Sequence, residues 1–129
     1  MVNMTDELIT FTTSKLANQA GFDVPCYNTF DVIDGRLYSN MNSVGGMVDT
    51  YNRPTQSLLQ RWMREKYSLN VEATSRVNSQ DGLIVYTWDI YWKGIPKELL
   101  NDDEPVFKTY ELALEEALQE ALRLIIKYK

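Results

Sequence analysis

Apolar residues recur at helical spacing in three stretches of this chain. The stretch 10–20 begins among threonines that can cap a helix and ends at Gly21. The stretch 54–67 opens with a proline and carries charged residues opposite an apolar stripe. The stretch 109–128 has the longest stripe, formed by Leu114, Ala117, Leu118, Ala121, Leu122 and Ile125. The spacing therefore predicts three helices.

Alternating apolar and polar positions predict a first β-hairpin between residues 26 and 41. Asp34 and Gly35 lie between two alternating runs, which favours a two-residue turn that pairs Ile33 with Arg36. This register places several apolar residues on one face, namely Cys26, Phe30, Val32, Leu37 and Met41. The stretch 39–52 has little periodicity and is predicted to be a connection with a short strand at 47–51.

A second hairpin is predicted by two runs rich in aromatic and β-branched residues, 70–77 and 83–92. Matching their apolar faces pairs Val77 with Ile84 and therefore Ala73 with Trp88. The face that carries these residues is predicted to be core.

The order of the elements is α-β-β-α-β-β-α, which predicts an α+β fold in a single domain over residues 1–129. We expect an antiparallel sheet of four to five strands, built from the two hairpins, with about three helices packed on one face. Residues 93–106 contain Gly94, Pro96, Pro105 and an acidic cluster and are predicted to be a loop.

The composition excludes most of the catalytic and metal sites that a single chain could form by itself. The chain of 129 residues has a formal net charge of -5, no histidine and one cysteine, Cys26. Zinc sites, disulfide frameworks and Ser-His or Cys-His nucleophiles are excluded within the chain, because each needs histidine or several cysteines. We therefore predict no cofactor, although a hard-cation site made of carboxylates and carbonyl oxygens stays open.

The beginning of the chain, MVNMTDELIT, has no basic segment followed by a long apolar run, and no apolar run elsewhere has the length of a membrane span. We therefore expect a cytoplasmic protein that does not enter a membrane.

Three segments have distinctive sequences: LANQAGFDVPCY at 16–27, PTQSLLQRWMREKYSLNVEA at 54–73 and FKTYELALEEALQEAL at 107–122. They resemble a group of small uncharacterised proteins encoded in phages and in prophage-like regions of gut anaerobic bacteria. Leu112 departs from that group, where glutamate is expected. The group has no established activity, so the resemblance implies a phage or prophage setting and assigns no residue a role.

From residue 54 onward, the order helix, hairpin, helix is similar to that of the double-stranded RNA-binding domain. That family contacts phosphates through a basic cluster at the start of its last helix. The matching positions here include Glu111, Glu115 and Glu116, whose charge repels phosphate. Neither this similarity nor the net charge favours nucleic acid as a partner.

Three features are candidates for a site on the surface or in a pocket. Arg61 and Arg64 lie one helical turn apart and could contact an anion, although Arg61 can instead pair with Glu65 on a solvated face. Trp92, at the end of its strand, is the aromatic residue most expected to be exposed. Cys26 is interpreted as a small buried hydrophobic residue, because its predicted register turns it inward.

A carboxylate pair follows from the register of the second hairpin. If Val77 faces Ile84, Glu72 lies directly across from Asp89 on the face away from the core. Such a pair could bind a hard cation or share a proton. The simpler alternative is a solvated face where water and salt screen the repulsion, with Arg76 or a lysine nearby.

We favour a non-catalytic protein-interaction module, whose partner is another protein or a second copy of the chain. One alternative is a nucleic-acid-associated accessory protein, which requires Arg61, Arg64, Lys66 and Arg76 to form one basic patch. Another is an enzyme or metal-binding protein that uses carboxylates alone, gathered in a concave pocket.

Overall fold

A computed structural model describes residues 7–26, 28–31, 37–39, 50–95 and 106–128. The fold is α+β, as predicted, with three helices among the described residues. In chain order the elements are α1 (Phe11–Gln19), β1 (Asn28–Asp31), β2 (Leu37–Ser39), β3 (Thr50–Asn52), α2 (Gln56–Tyr67), β4 (Leu69–Val77), β5 (Ile84–Trp92) and α3 (Tyr110–Tyr128).

Each helix begins directly after a threonine that accepts a hydrogen bond from a backbone N–H of the first turn. The Thr55 hydroxyl accepts from Leu58 at 3.2 Å, and the Thr109 hydroxyl accepts from the N–H of Leu112 at 3.1 Å. Thr10 caps α1 in the same way. These bonds satisfy donors that have no partner inside the helix, which explains where the helices begin.

The stripe of α3 is buried as predicted, and it packs on the face of the β4–β5 hairpin that carries Trp88. The register of this hairpin is the predicted one: Val77 faces Ile84, Ala73 faces Trp88 and Glu72 faces Asp89. The apolar stripe of α2 completes the same core with Leu59, Trp62 and Met63.

The first hairpin has a different register from the predicted one. Phe30 pairs with Leu37, whereas the predicted turn pairs Phe30 with Ser39, so the strands are displaced by two residues. Side chains alternate with a period of two, and a displacement of two residues therefore keeps the same face. The apolar pattern could not distinguish the two registers, and the predicted turn at Asp34-Gly35 lies outside the described residues.

The described strands form two sheets and not the predicted single sheet of four to five strands. β1 lies between β2 and β3, and β4 pairs with β5 alone. Both outer edges of the β4–β5 hairpin are partly occupied: Phe107 pairs with Tyr86 on β5, and Gln60 of α2 bonds the Val71 carbonyl oxygen of β4. A strand of the first hairpin therefore cannot add at these positions.

Two further predicted segments are described only in part. The described part of the short strand predicted at 47–51 lies in β3. The loop predicted at 93–106 is described only at its two ends.

No helix in the described ranges is long and apolar enough to cross a membrane.

Candidate functional site

A network of hydrogen bonds around Glu115 joins the three helices. The backbone N–H and the hydroxyl of Thr10 each donate to one oxygen of the Glu115 carboxylate at 2.9 Å, and the Thr13 hydroxyl donates to the same oxygen. The Gln56 amide donates to the other oxygen at 2.9 Å. Gln119 donates to the Thr13 hydroxyl at 3.0 Å. In a capping box, an acidic residue at the third position of a helix accepts a hydrogen bond from the N–H of the capping residue. Here Glu115 of α3 accepts that bond from Thr10, which caps α1.

A groove of about 520 Å³ lies beside this network. Arg53 lines the groove, its Nε donates to the Ile9 carbonyl oxygen at 2.8 Å, and its guanidinium lies 4.7 Å from the centre of the Phe30 ring. Burial lowers the pKa of Arg53, while the charges of Glu115 and Glu7 oppose that effect. A guanidinium stays protonated under these conditions, so Arg53 holds the segment before α2 against the segment before α1.

The carboxylate of Glu115 in this groove is bound within the fold. Glu115 accepts bonds from residues of α1 and α2, which are internal partners of the fold. Among the residues that the structure describes, no group of three or more aspartate, glutamate or cysteine side chains could hold a metal ion. The hydrogen bonds of Glu115 in this groove therefore form a structural junction between the helices.

The predicted carboxylate pair exists as a geometric pair on the outer face of the hairpin, the face away from α3. Glu72 lies directly across from Asp89, as the register required. Glu72 is exposed, and in the described part of the chain it has no hydrogen bond or ion pair. Asp89 is half-buried and makes a further polar contact. Two carboxylates provide too few ligands for a hard cation by themselves.

The predicted basic residues are distributed over separate parts of the molecule. Arg61 and Glu65 form the expected ion pair at 2.9 Å on an exposed face of α2. The ammonium of Lys66 lies over the ring of Trp62 at 5.7 Å. Arg76 lies about 16 Å along β4 from Val71, where α2 contacts the strand. Arg64 is exposed on α2, near the end of the helix opposite to the groove.

Trp92, the aromatic residue most expected to be exposed, is half-buried. Its indole N–H donates to the Tyr67 carbonyl oxygen at 2.9 Å, and its ring packs edge to face against Tyr128 at 6.2 Å. Cys26 is buried as predicted, and burial raises the pKa of its thiol to about 11. A thiol with this pKa is protonated at neutral pH, which agrees with a structural residue.

The end of the β4–β5 hairpin nearest its turn extends beyond the three described helices. Tyr110, the first residue of α3, packs against Tyr86 with ring centres 6.5 Å apart, whereas the other end of α3 lies beside Trp92. Helix α3 therefore covers β5 from Tyr86 to Trp92, and none of the three described helices lies against the strand before Tyr86.

Three apolar side chains are consequently exposed at this hairpin tip: Val77 (65%), Leu83 (62%) and Ile84 (60%). Val77 and Ile84 are directly paired, so their side chains form one patch, and the side chain of Leu83 lies on the other face of the hairpin. A concavity of about 410 Å³ adjoins the patch and is lined in part by Val106. The prediction that the whole Trp88 face is core is therefore wrong at the tip. The alternating pattern gives no information on where a covering helix begins.

The backbone of β4 has an open edge next to this patch. Asn78 donates to the Leu83 carbonyl oxygen at 2.8 Å, so even-numbered residues of β4 bond β5, and odd-numbered residues direct their backbone groups outward. Two contacts confirm this parity. Gln60 bonds the carbonyl oxygen of Val71, and Phe107 exchanges two bonds with Tyr86, which is an outward position on β5.

The outward backbone groups beyond Val71 belong to Ala73, Ser75 and Val77. In the described part of the chain, no backbone or side-chain partner bonds them. An open strand edge beside exposed apolar side chains is an arrangement that accepts another strand. We refer to Ala73–Val77 together with Leu83 and Ile84 as the tip surface.

No known family model, curated protein or solved structure matches this chain. The phage or prophage setting indicated by the resemblance stays a prediction.

Proposed function

We propose that this chain is a non-catalytic protein-interaction module, which binds a protein partner at the tip surface by adding a strand to β4. The observation that carries the proposal is the coincidence of an open backbone edge at Ala73, Ser75 and Val77 with the exposed side chains of Val77 and Ile84. In strand addition, backbone hydrogen bonds supply affinity and alternate side chains supply specificity. The tip surface offers both.

The chemistry of the remaining candidates supports this proposal over catalysis or nucleic-acid binding. Glu115 is held by partners inside the fold, and Arg61 is paired with Glu65. The tip surface, in contrast, exposes groups that a folded domain ordinarily covers or blocks with charge. A cytoplasmic location and a phage or prophage setting are part of the proposal and are predicted from the sequence alone.

Site-specific photo-crosslinking tests the proposal in the host cell. A photoreactive phenylalanine analogue at Ile84 is expected to give discrete protein adducts. The same analogue at Ile126, an exposed isoleucine near the other end of α3, is the matched control and is expected to give none. The expected difference arises because only Ile84 lies beside an open strand edge.

A proline substitution separates strand addition from general stickiness of the patch. Ser75→Pro removes an outward N–H and leaves the bonds between β4 and β5 in place, which is the position at which an edge strand tolerates proline. We expect it to abolish the adducts from Ile84 without unfolding the hairpin. Thr74→Pro removes an inward N–H and is expected to disrupt the hairpin itself. Equal adduct patterns at Ile84 and Ile126, or adducts that persist in folded Ser75→Pro, would contradict the proposal.

A further inference from the structure

We propose that the base of the β4–β5 hairpin binds a small organic anion, in which a carboxylate or phosphate group is attached to an apolar or aromatic body. The site is a concavity of about 400 Å³, which we call the base pocket, and its lining includes Ser68, Asn70, Tyr91, Lys93 and Ile95. It lies about 26 Å along β4 from the tip surface. The inference therefore goes beyond the proposed function and does not depend on it.

The base pocket opens on the outer face of the hairpin. Asn70 and Tyr91 are directly paired and point away from the core face, because side chains alternate along each strand. Ser68 and Lys93 directly flank the last pair of this ladder, and both are exposed. The three described helices do not fill this concavity, so a ligand can enter it from solvent.

The backbone around the base pocket is fixed by contacts within the chain. Ser68 alone connects α2 to β4, and its N–H donates to the carbonyl oxygen of Arg64 at 3.1 Å. On the other side, the N–H of Ile95 donates to the carbonyl oxygen of Trp92 at 3.0 Å, which closes a turn. The indole N–H of Trp92 donates to Tyr67 at 2.9 Å and ties the end of β5 to the end of α2. A preformed pocket spends less entropy on binding.

Three polar side chains in the base pocket can donate hydrogen bonds to a ligand. The hydroxyl of Ser68, the amide of Asn70 and the ammonium of Lys93 have no hydrogen bond or ion pair with another described residue. A carboxylate or phosphate accepts hydrogen bonds from all three kinds of donor. The ring of Tyr91, which is 43% exposed, and the half-buried Ile95 provide apolar surface for the body of the ligand. Apolar surface with a few polar groups is the usual composition of a small-molecule site.

The charges at this end of the molecule favour an anion. Lys66 and Lys127 lie in the last turns of α2 and α3, which both meet the base of the hairpin near Lys93. On the outer face, Glu72 and Asp89 lie four residues along the strands from the mouth of the pocket, which is about 13 Å. Salt screens charges over about 8 Å, so these carboxylates act only weakly on an anion beside Lys93.

The backbone of Ser68 is an independent indication of a role for its side chain. Its φ of 55° lies in the left-handed region, and no other described residue except glycine has a positive φ. Glycine is preferred at this position after a helix, because it has no Cβ to strain. Strained residues of this kind cluster at ligand-binding sites. A glycine here would remove the strain and also the hydroxyl donor.

Titration of the full chain with benzoate, followed by NMR of the backbone N–H groups, tests the inference. We expect saturable shifts at Ser68, Asn70 and Lys93, with a dissociation constant of about 1 mM or lower. Phenyl phosphate is the second probe, and the tighter of the two identifies the preferred anionic group. Benzamide has the same ring as benzoate and no charge, so it should bind at least about tenfold more weakly.

Two variants and one control assign the binding to the base pocket. Lys93→Met should weaken benzoate binding by about tenfold, because it removes the charged donor. Lys108→Met is the matched control, since Lys108 is exposed near the start of α3, and it should not change the affinity. Ser68→Gly should weaken benzoate binding by about threefold or more and at the same time raise the midpoint of urea unfolding.

The absence of a saturable shift with benzoate and phenyl phosphate up to about 10 mM would overturn the inference. So would benzamide binding as tight as that of benzoate, a Lys93→Met chain that binds as tightly as Lys108→Met, or a Ser68→Gly chain with full affinity. Circular dichroism spectra identical to that of the unmodified chain exclude unfolding as the cause of a loss. None of these variants changes the tip surface, so either result leaves the test of the proposed function unaffected.

Discussion

Leu118→Ala is expected to lower the free energy of unfolding by about 2 to 4 kcal/mol. Leu118 lies in the middle of α3 and is fully buried. The substitution removes the apolar contact of the side chain and leaves a cavity that the surrounding helices and hairpin can fill only in part. Urea unfolding followed by circular dichroism or by tryptophan fluorescence measures the change.

The matched control is Leu112→Ala on the same helix. Leu112 is exposed, so the same chemical change there should alter the free energy of unfolding by about 0.5 kcal/mol or less. A loss below about 0.5 kcal/mol for Leu118→Ala would show that the α3 stripe is not packed on the hairpin.

Glu115→Ala is expected to lower the free energy of unfolding by about 2 to 3 kcal/mol, although Glu115 is only half-buried. The reason is the loss of the acceptor for Thr13 and Gln56, which are both buried, and for the N–H of the helix cap Thr10. A buried donor that loses its partner costs more than the hydrogen bond contributed. Urea unfolding is again the measurement.

Glu120→Ala is the control for this second prediction. Glu120 lies on the same helix, and its ion pair with Arg123 at 3.0 Å is solvent-exposed. Exposed pairs of this kind contribute about 0 to 1 kcal/mol, so the control should have little effect. If Glu115→Ala were no more destabilising than Glu120→Ala, the network would not hold α1 and α2 against α3.

The helices and the second hairpin could be predicted because their patterns have one solution each. The α3 stripe recurs from Ala113 to Ile125, over about three and a half turns, which only a helix satisfies. The register of β4 and β5 is fixed because a shift of one residue would turn Val71 and Ile90 away from the core.

The first hairpin and the arrangement of the sheets could not be predicted in the same way. A displacement of two residues leaves the Phe30 face unchanged, so the pattern permits both registers. Whether two hairpins share a sheet depends on what occupies their edges. Here that is a glutamine side chain from α2, Gln60, and the backbone of Phe107. Neither contact has a periodic signal in the sequence.

Only part of the candidate site was visible in the sequence. The pairing of Glu72 with Asp89 followed from the register. The exposure of Val77 and Ile84 did not, because apolar alternation continues through the tip while α3 begins beside Tyr86. The length of the hairpin was the available signal. β5 has nine residues and is about 30 Å long, which is longer than the part of the strand that α3 covers. The hairpin ends in the polar residues 78–81 and Gly82.

Amide hydrogen exchange along β4, measured by NMR on the chain alone, tests most directly whether this strand has an open edge. Thr74 and Arg76 direct their N–H groups toward β5 and should exchange slowly. Ser75 and Val77 should exchange fast, because their N–H groups point away from β5 and have no partner in the described part of the chain. Slow exchange of Ser75 and Val77 would show that the edge is closed within the chain and would contradict the account.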